Sequence, residues 1–161
     1  MYGFRYVVEA TYDHEMWMYF NECFSYMPYV CILRSVMFVH GGISEGIKRI
    51  EDINKHPKVM VPSPEVEELL WNDPADGISG FVFNEERMGF KKFGRDVLMD
   101  FLEENSLMRL VRAHQPVRNG FCEMWDGKLI TVFSSPETHP EGKGTLLLFE
   151  NGEIEPISLS V

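Results

Sequence analysis

Residues 36–44 read Val-Met-Phe-Val-His-Gly-Gly-Ile-Ser, an apolar run that stops abruptly at a histidine and two glycines. Consecutive apolar residues before such a stop are typical of a buried strand. Another apolar run at residues 29–33 precedes this one, and only Arg34 and Ser35 separate the two. A two-residue connection between apolar runs predicts a β-hairpin, which places residues 36–39 inside a sheet.

Another strand is predicted to end in the same way, because residues 108–111 lead directly into Arg112-Ala113-His114-Gln115. Ligand sites in open α/β folds gather at the carboxyl ends of strands, so we expect His40 and His114 to approach each other. Two imidazoles in that position make a candidate half-site for a metal ion. The alternative is that each is an ordinary loop or partly buried histidine, which is the commoner fate of an isolated histidine.

Two arginines are candidates for binding phosphate, since a guanidinium fork matches two phosphate oxygens. They are Arg87 and Arg112, and the alternative for each is an ordinary surface position. Gly41 and Gly42 would allow close backbone approach and a positive φ beside His40.

Helical patterns fill most of the first two thirds of the chain. Asp13 is a capping residue for a helix with Trp17, Phe20 and Phe24 on one face, and we expect that stripe to be core. Other predicted helices open at Ser44, at Ser63 with its hydroxyl as cap, and near Asp96, with a loop through the glycines between the last two. The apolar stripe of the helix opening at Ser44 contains Ile47, Ile50 and Ile53.

Strands dominate the last third, with hairpin turns at Asp126-Gly127 and Asn151-Gly152. Helices followed by strands indicate a layered α/β or α+β domain in which helices cover a sheet. The whole of residues 1–161 is predicted to form a single domain, since about 100–200 residues is the usual size of one hydrophobic core.

The overall charge excludes some classes of partner. Fifteen basic and twenty-five acidic side chains give a net charge of −10, which repels nucleic acid and anionic membranes at long range. No apolar run is long enough to span a bilayer, and the N-terminus lacks the pattern of a signal peptide. We therefore expect a cytoplasmic protein with no nucleic-acid or membrane partner, a nuclear location also being compatible.

Seven short motifs follow one another along the chain. They are Tyr2-Gly3-Phe4, residues 24–28, Val39-His40-Gly41-Gly42-Ile43-Ser44, Leu70-Trp71-Asn72-Asp73-Pro74, residues 87–94, Arg112-Ala113-His114-Gln115 and residues 131–136. This set resembles the phosphoprotein phosphatase (PPP) family of serine/threonine phosphatases, within the calcineurin-like metallophosphoesterase superfamily. It covers nearly the whole chain in the family's order, which makes it far more specific than any one motif.

The resemblance implies a role for each matching residue. His40 and His114 would ligate one of two metal ions, which in the family are manganese, iron or zinc. Arg87 would bind the substrate phosphate, and Asp73 would support the site. Arg112 and Gln115 would shape the loop around His114. The implied reaction is hydrolysis of a phosphoserine or phosphothreonine protein by direct attack of a metal-bridging hydroxide.

The sequence also departs from the family. The motifs GDxHG, GDxxDRG and GNHE, which supply the other metal ligands, do not occur in it. We therefore expect the C-terminal part of a four-layer αββα fold, a mixed β-sandwich flanked by helices, with ligands for only one metal. Thr138 stands where many members have a tyrosine over the active site, which puts the contacts of that loop with substrate in question.

Three functions follow from this comparison. The first is a C-terminal fragment of a metal-dependent protein phosphatase, inactive alone. The alternatives are a non-catalytic phosphatase-like binding module, or a half-enzyme complemented by another chain that supplies the missing N-terminal half. A regulatory subunit is a further partner that the family implies, and the sequence does not identify one.

Overall fold

The computed structural model describes residues 3–87 and 89–160. Tyr2 and Met88, which fall within two motifs of the resemblance, lie outside the described residues. The described residues form five α-helices: α1 Phe4–Thr11, α2 His14–Ser25, α3 Ile50–Ile53, α4 Pro64–Trp71 and α5 Arg95–Glu104. None of these helices combines the length and the apolar character needed to cross a membrane.

Ten strands form three sheets within the described residues. The strands are β1 Val30–Leu33, β2 Val36–Val39, β3 Asp73–Pro74, β4 Phe81–Phe83, β5 Lys91–Phe93, β6 Arg109–Arg112, β7 Phe121–Met124, β8 Leu129–Val132, β9 Lys143–Glu150 and β10 Glu153–Ser160. A five-stranded sheet has the order β1-β2-β6-β8-β7, a three-stranded sheet has the order β3-β5-β4, and β9 pairs with β10.

The five-stranded sheet is mixed. β1 and β2 form the predicted hairpin, and its two turn residues, Arg34 and Ser35, have φ of 49° and 62°. Both values lie in the left-handed region, as a tight turn matched to the strand twist requires. β2, β6 and β8 run parallel, so their carboxyl ends meet at one edge of the sheet.

Alternate residues of the central strands enter two different apolar clusters, because successive side chains of a strand point to opposite faces. Met37, Leu110 and Leu129 face α3, α4 and α5, and the same cluster contains buried side chains of those helices. Val36, Val111 and Ile130 face the other way and pack with Leu147, Phe149 and Ile154 of the β9–β10 hairpin. The result is the predicted layered fold: two sheets face each other, and helices cover the first.

The prediction that the aromatic stripe of α2 lies in the core is wrong. No residue of α2 is fully buried, and Phe24 is 46% exposed. Phe20 and Phe24 pack instead on Phe4 of α1, with ring centroids 5.2 and 6.1 Å from it. The stripe has the spacing of a buried face, but its neighbours within the described residues are mainly those of α1.

Three predictions of local structure are also corrected. The helix expected from Ser44 begins only at Ile50. The Ser44 hydroxyl donates a hydrogen bond to Glu68 and accepts one from the amide of Gly46, so it does not cap a helix at this point. The Ser63 hydroxyl does not cap α4 and pairs with His56 instead. The expected glycine-rich loop after α4 contains the whole three-stranded sheet, whose strands of two or three residues are too short to give a periodic signal.

Candidate metal and phosphate site

His40 and His114 meet at the carboxyl edge of the five-stranded sheet. Val39 at the end of β2 is paired with Arg112 at the end of β6, and the amide of Ala113 donates to the carbonyl of His40 over 3.1 Å. This register brings His40 Nε2 to 3.1 Å from His114 Nδ1. The convergence expected from the two strand ends is present.

The two imidazoles are held neutral at physiological pH. Burial, followed by the charges of Arg87 and Arg112, lowers the pKa of His114 to about 4. The pKa of His40 is also lowered, by burial first and then by Arg112 and Arg87. A neutral imidazole has a nitrogen lone pair, which is the form that binds a metal.

The two nitrogens fit adjacent positions on one metal ion. Two histidine nitrogens, each about 2.1 Å from a shared metal, lie roughly 3.0–3.4 Å apart at the angles of common coordination geometries. The buried Nε2 of His114 makes no hydrogen bond to any described residue. Residues 3–87 and 89–160 contain no group of three or more His, Cys, Asp or Glu that could hold a metal.

The backbone at both histidines is constrained. His114 has φ of 68°, a conformation that non-glycine residues use rarely and that costs on the order of 1 kcal/mol. Gly41 and Gly42 donate their amides to the carbonyl of Leu69 over 2.8 and 3.1 Å. A Cβ on Gly41 would overlap the backbone of Leu70, so the glycine provides close approach, as predicted, although neither glycine has the positive φ that we expected.

Asp73 joins the two arginines that the sequence singled out. Arg87 Nε donates to Asp73 Oδ2 over 2.6 Å, and Arg112 Nη2 donates to Asp73 Oδ1 over 2.8 Å. Asn84, which is fully buried, adds a third donor at 3.2 Å. Asp73 is only 2% exposed, so this carboxylate has exchanged water for three protein donors.

The two arginines have different surroundings. The Arg112 side chain is inaccessible to solvent, and it also donates to the carbonyl of Gly41 and to Gln115. Burial lowers the pKa of Arg112 to about 10, while Asp73 opposes that shift, so the group stays charged at neutral pH. Arg112 therefore positions the loops of His40 and His114, and the interpretation of it as a phosphate ligand is wrong.

Arg87 remains available to a ligand. Its side chain is 21% exposed, and among the described residues it donates through Nε alone. The two terminal amino groups of a guanidinium can then engage two oxygens of one anion.

Trp71 is a part of the site that the sequence reasoning left without a role. Its ring stacks on Phe90 with centroids 5.3 Å apart and meets His114 edge-on at 5.1 Å. It lines an open cleft of about 910 Å³ together with both histidines, Phe24 and the segment 132–135. Asn84 was missed as well, because a single buried asparagine in a short loop has no sequence signature. The motif at residues 70–74, which contains Trp71, was the one available signal for it.

The fold and this arrangement of groups define a class of protein: a phosphoesterase-like domain with a histidine pair and an anchored arginine. The family model for calcineurin-like phosphoesterases matches residues 2–118. The chain belongs to that family, whose members use divalent metal ions.

Particular relatives are serine/threonine protein phosphatases. The chain is 33% identical over 140 residues to a protein phosphatase 2A catalytic subunit of Dictyostelium discoideum, covering 84% of this chain and 45% of that protein. It is 35% identical over 162 residues to serine/threonine-protein phosphatase T of Trypanosoma brucei brucei, covering 97% of this chain and 34% of that protein. The chain thus spans less than half the length of these relatives.

A solved structure supports the fold. The chain superimposes on a Saccharomyces cerevisiae protein serine/threonine phosphatase, described as similar to human phosphatase PP5, with a TM-score of 0.84 and 21% identity. The match covers all of this chain and 56% of that one. The layered fold predicted from the sequence is confirmed.

Proposed function

We propose that this chain is the C-terminal part of the catalytic domain of a metal-dependent serine/threonine protein phosphatase that acts on phosphoserine or phosphothreonine proteins. The observation that carries the proposal is the 3.1 Å approach of His40 Nε2 to His114 Nδ1, with Arg87 fixed by Asp73 close enough to lower the pKa of both histidines. The names of the relatives support the same activity.

In this proposal His40 and His114 are two protein ligands of one metal ion, which we propose to be manganese, iron or zinc. Bound metal ions lower the pKa of water and so supply the nucleophile for hydrolysis of a phosphomonoester. The chain keeps both imidazoles neutral through burial and the two nearby arginines, which favours ligation over protonation. In this proposal the further ligands come from the complementary N-terminal half, which carries the motifs GDxHG, GDxxDRG and GNHE.

Arg87 is proposed to orient the phosphate. Its Nε is held by Asp73, so the plane of the guanidinium is fixed before a substrate arrives. Two terminal amino groups can then donate to two phosphate oxygens and offset their charge. Through Asp73, this arginine is connected to Arg112 and from there to the carbonyl of Gly41, next to the metal ligand His40.

We further propose that residues 1–161 form one partial domain with little or no activity alone. A catalytic metal site normally takes three or more protein ligands, and the histidine pair offers two. The exposed aromatic face of α1 and α2 supports docking of a complementary N-terminal half, since apolar faces of this kind are usually covered. A regulatory subunit and a cytoplasmic or nuclear location belong to the same proposal.

The test is activity in a reconstituted complex. The chain is co-expressed with an N-terminal half of a phosphatase catalytic domain that carries GDxHG, GDxxDRG and GNHE, and manganese-dependent hydrolysis of a phosphoserine peptide is measured. We expect activity that neither half has alone, and a loss of at least about a hundredfold in His114→Ala. The control is His56→Ala, a histidine that lies neither on α1 or α2 nor in the wall of the cleft at His40 and His114, and that should leave the activity nearly unchanged.

Two results would contradict the proposal. One is clear manganese-dependent activity that His114→Ala leaves unchanged in the complex. The other is a complex that forms, as shown by size-exclusion chromatography, and yet has no activity with any of the three metals.

A further inference from the structure

A cavity of about 420 Å³ lies between the segment 43–48, β4 and α5, and it shares no lining residue with the cleft at His40 and His114. Its wall is mainly apolar and includes the side chains Ile43, Ile47, Phe81, Val97 and Phe101. Cavities of a few hundred cubic ångströms with apolar walls are typical of sites that accept one large side chain or a small ligand.

A second, polar cavity of about 510 Å³ adjoins the first. It is lined by Arg49, Asp100, Glu103 and Glu104, and both cavities include Asp100 and Glu104 in their walls. Residues 97, 100, 101 and 104 recur at the spacing of one helix face, so a single face of α5 passes from apolar to acidic. The two cavities therefore form one groove along α5, with an apolar end and an acidic end.

The acidic end has carboxylates that lack a counter-charge. Arg49 Nε pairs with Glu104 over 2.8 Å, whereas Asp100 and Glu103 make no ion pair with any described residue. The last turn of α5 also has no basic residue. Acidic side chains near a helix C-terminus are unfavourable because of the negative end of the helix dipole. A cation bound there would relieve both effects.

The apolar end has the opposite character. Ile43 and Ile47 are 1% exposed, so the floor of the cavity is part of the core and holds its shape. Lys48 Nζ lies 6.0 Å from the centre of the Phe81 ring, at the rim. A preformed apolar floor with charged groups around it is the arrangement of an anchoring pocket at a protein interface.

We infer that this groove binds a peptide segment of a protein partner that presents a large apolar side chain next to a lysine or arginine. The apolar side chain enters the cavity beside Val97, and the cation pairs with Asp100 and Glu103. The net charge of −10 attracts such a segment at long range. This docking site is separate from the proposed active site, and its binding is measured without phosphatase activity.

The experiment is a fluorescence-anisotropy titration of the full chain with three labelled peptides. The first is a capped polar peptide containing Trp-Arg, the second replaces the tryptophan by serine, and the third replaces the arginine by glutamate. We expect the first peptide to bind with an affinity that falls as salt is added. Each of the other two peptides should bind with an affinity lower by roughly tenfold or more. Equal binding of all three peptides would overturn the inference.

Matched variants locate the site. Asp100→Lys combined with Glu103→Lys changes two residues of the α5 groove, and the control, Glu153→Lys with Glu155→Lys on β10, makes the same change in net charge elsewhere. We expect the α5 variant to lose about tenfold in affinity and the control to lose much less. Circular dichroism checks that both variants are folded.

Val97→Phe tests the apolar end of the groove by filling the cavity. It should lower the affinity for the tryptophan peptide more than the affinity for the serine peptide. Equal affinity of the α5 variant and the control for the first peptide would overturn the site. So would sedimentation showing that the chain is a dimer at the concentrations used while the α5 variant is a monomer, since the groove would then be an interface between two copies.

Discussion

Arg87 and Arg112 show how two residues of the same type acquire different tasks from their surroundings. Each donates to one oxygen of Asp73, but Arg112 is inaccessible to solvent and Arg87 is 21% exposed. A fully buried guanidinium must have all its charge compensated by protein groups, so it acts as a structural connection. A partly exposed one keeps free donors for a ligand.

At the scale of single residues, we predict that Asp73→Asn strongly lowers the free energy of unfolding. The substitution keeps the shape but leaves Arg112 buried without a counter-charge, which costs about 3–5 kcal/mol in the free energy of unfolding. Urea denaturation followed by circular dichroism measures this change. Asp126→Asn is the control, since its pair with Arg95 is exposed and is worth under about 1 kcal/mol. Equal losses in the two variants would contradict the proposed role of Asp73.

The pKa of His114 predicts a pH dependence of stability. An unfolded histidine has a pKa of about 6.5, and the folded value is about 4, so the unfolded chain binds a proton more readily. The contribution of His114 to the free energy of unfolding should therefore be complete above about pH 6.5 and decrease as the pH falls toward 4. Thermal denaturation between pH 4 and 7 measures it. His114→Asn should have a shallower pH dependence, and an identical profile would refute this attribution.

At the scale of elements, α5 and α2 have similar sequence patterns and different packing. Leu98, Phe101 and Leu102 of α5 are buried against the five-stranded sheet. The aromatic stripe of α2 has the same helical spacing, but its contacts are mainly with α1. Amphipathic spacing predicts that a face is apolar, and it does not identify what covers that face.

This difference predicts unequal costs of truncation. Leu98→Ala removes a side chain with 0% exposure and should lower the free energy of unfolding by about 2–5 kcal/mol. Phe24→Ala, at 46% exposure, should cost under about 1 kcal/mol in the isolated chain. Chemical denaturation of both variants provides the measurement. A larger loss for Phe24→Ala would show that α2 is packed more tightly than its exposure indicates.

For the molecule as a whole, apolar surface is concentrated on the α1–α2 hairpin. Tyr6 and Tyr12 are 75% and 64% exposed, and Val7, Tyr19 and Tyr26 are exposed as well. The chain covers 56% of the yeast phosphatase whose fold it shares. These exposed side chains make the hairpin of α1 and α2 the surface on which the proposed docking of an N-terminal half is tested.

We predict that removing two exposed tyrosines of this hairpin weakens docking of the N-terminal half without destabilising the fold. Tyr6→Ser combined with Tyr12→Ser should leave the free energy of unfolding of the chain within about 0.5 kcal/mol. The same variant should bind the complementary N-terminal half roughly tenfold more weakly, as measured by titration calorimetry. Ile157→Ser, an exposed apolar residue on β10, is the control and should bind normally. Equal binding by both variants would place the docking surface elsewhere.

Local sequence was enough to predict the features that depend on nearby residues. The hairpin at Arg34 and Ser35 and the strand before His114 follow from turn chemistry and from apolar runs. Because parallel strands share a carboxyl edge, the approach of His40 to His114 was also predictable. The ordered motifs then indicated the family, which the comparisons confirm.

Contacts between distant segments set the remaining features, and these became visible only in the folded chain. Only the fold shows that Asp73 holds two arginines, that Asn84 supports it, and that Trp71 borders His114. Burial likewise separated Arg112 from Arg87 and left α2 exposed. These properties depend on which groups lose contact with water, and that is set by packing across the whole chain, which no local pattern encodes.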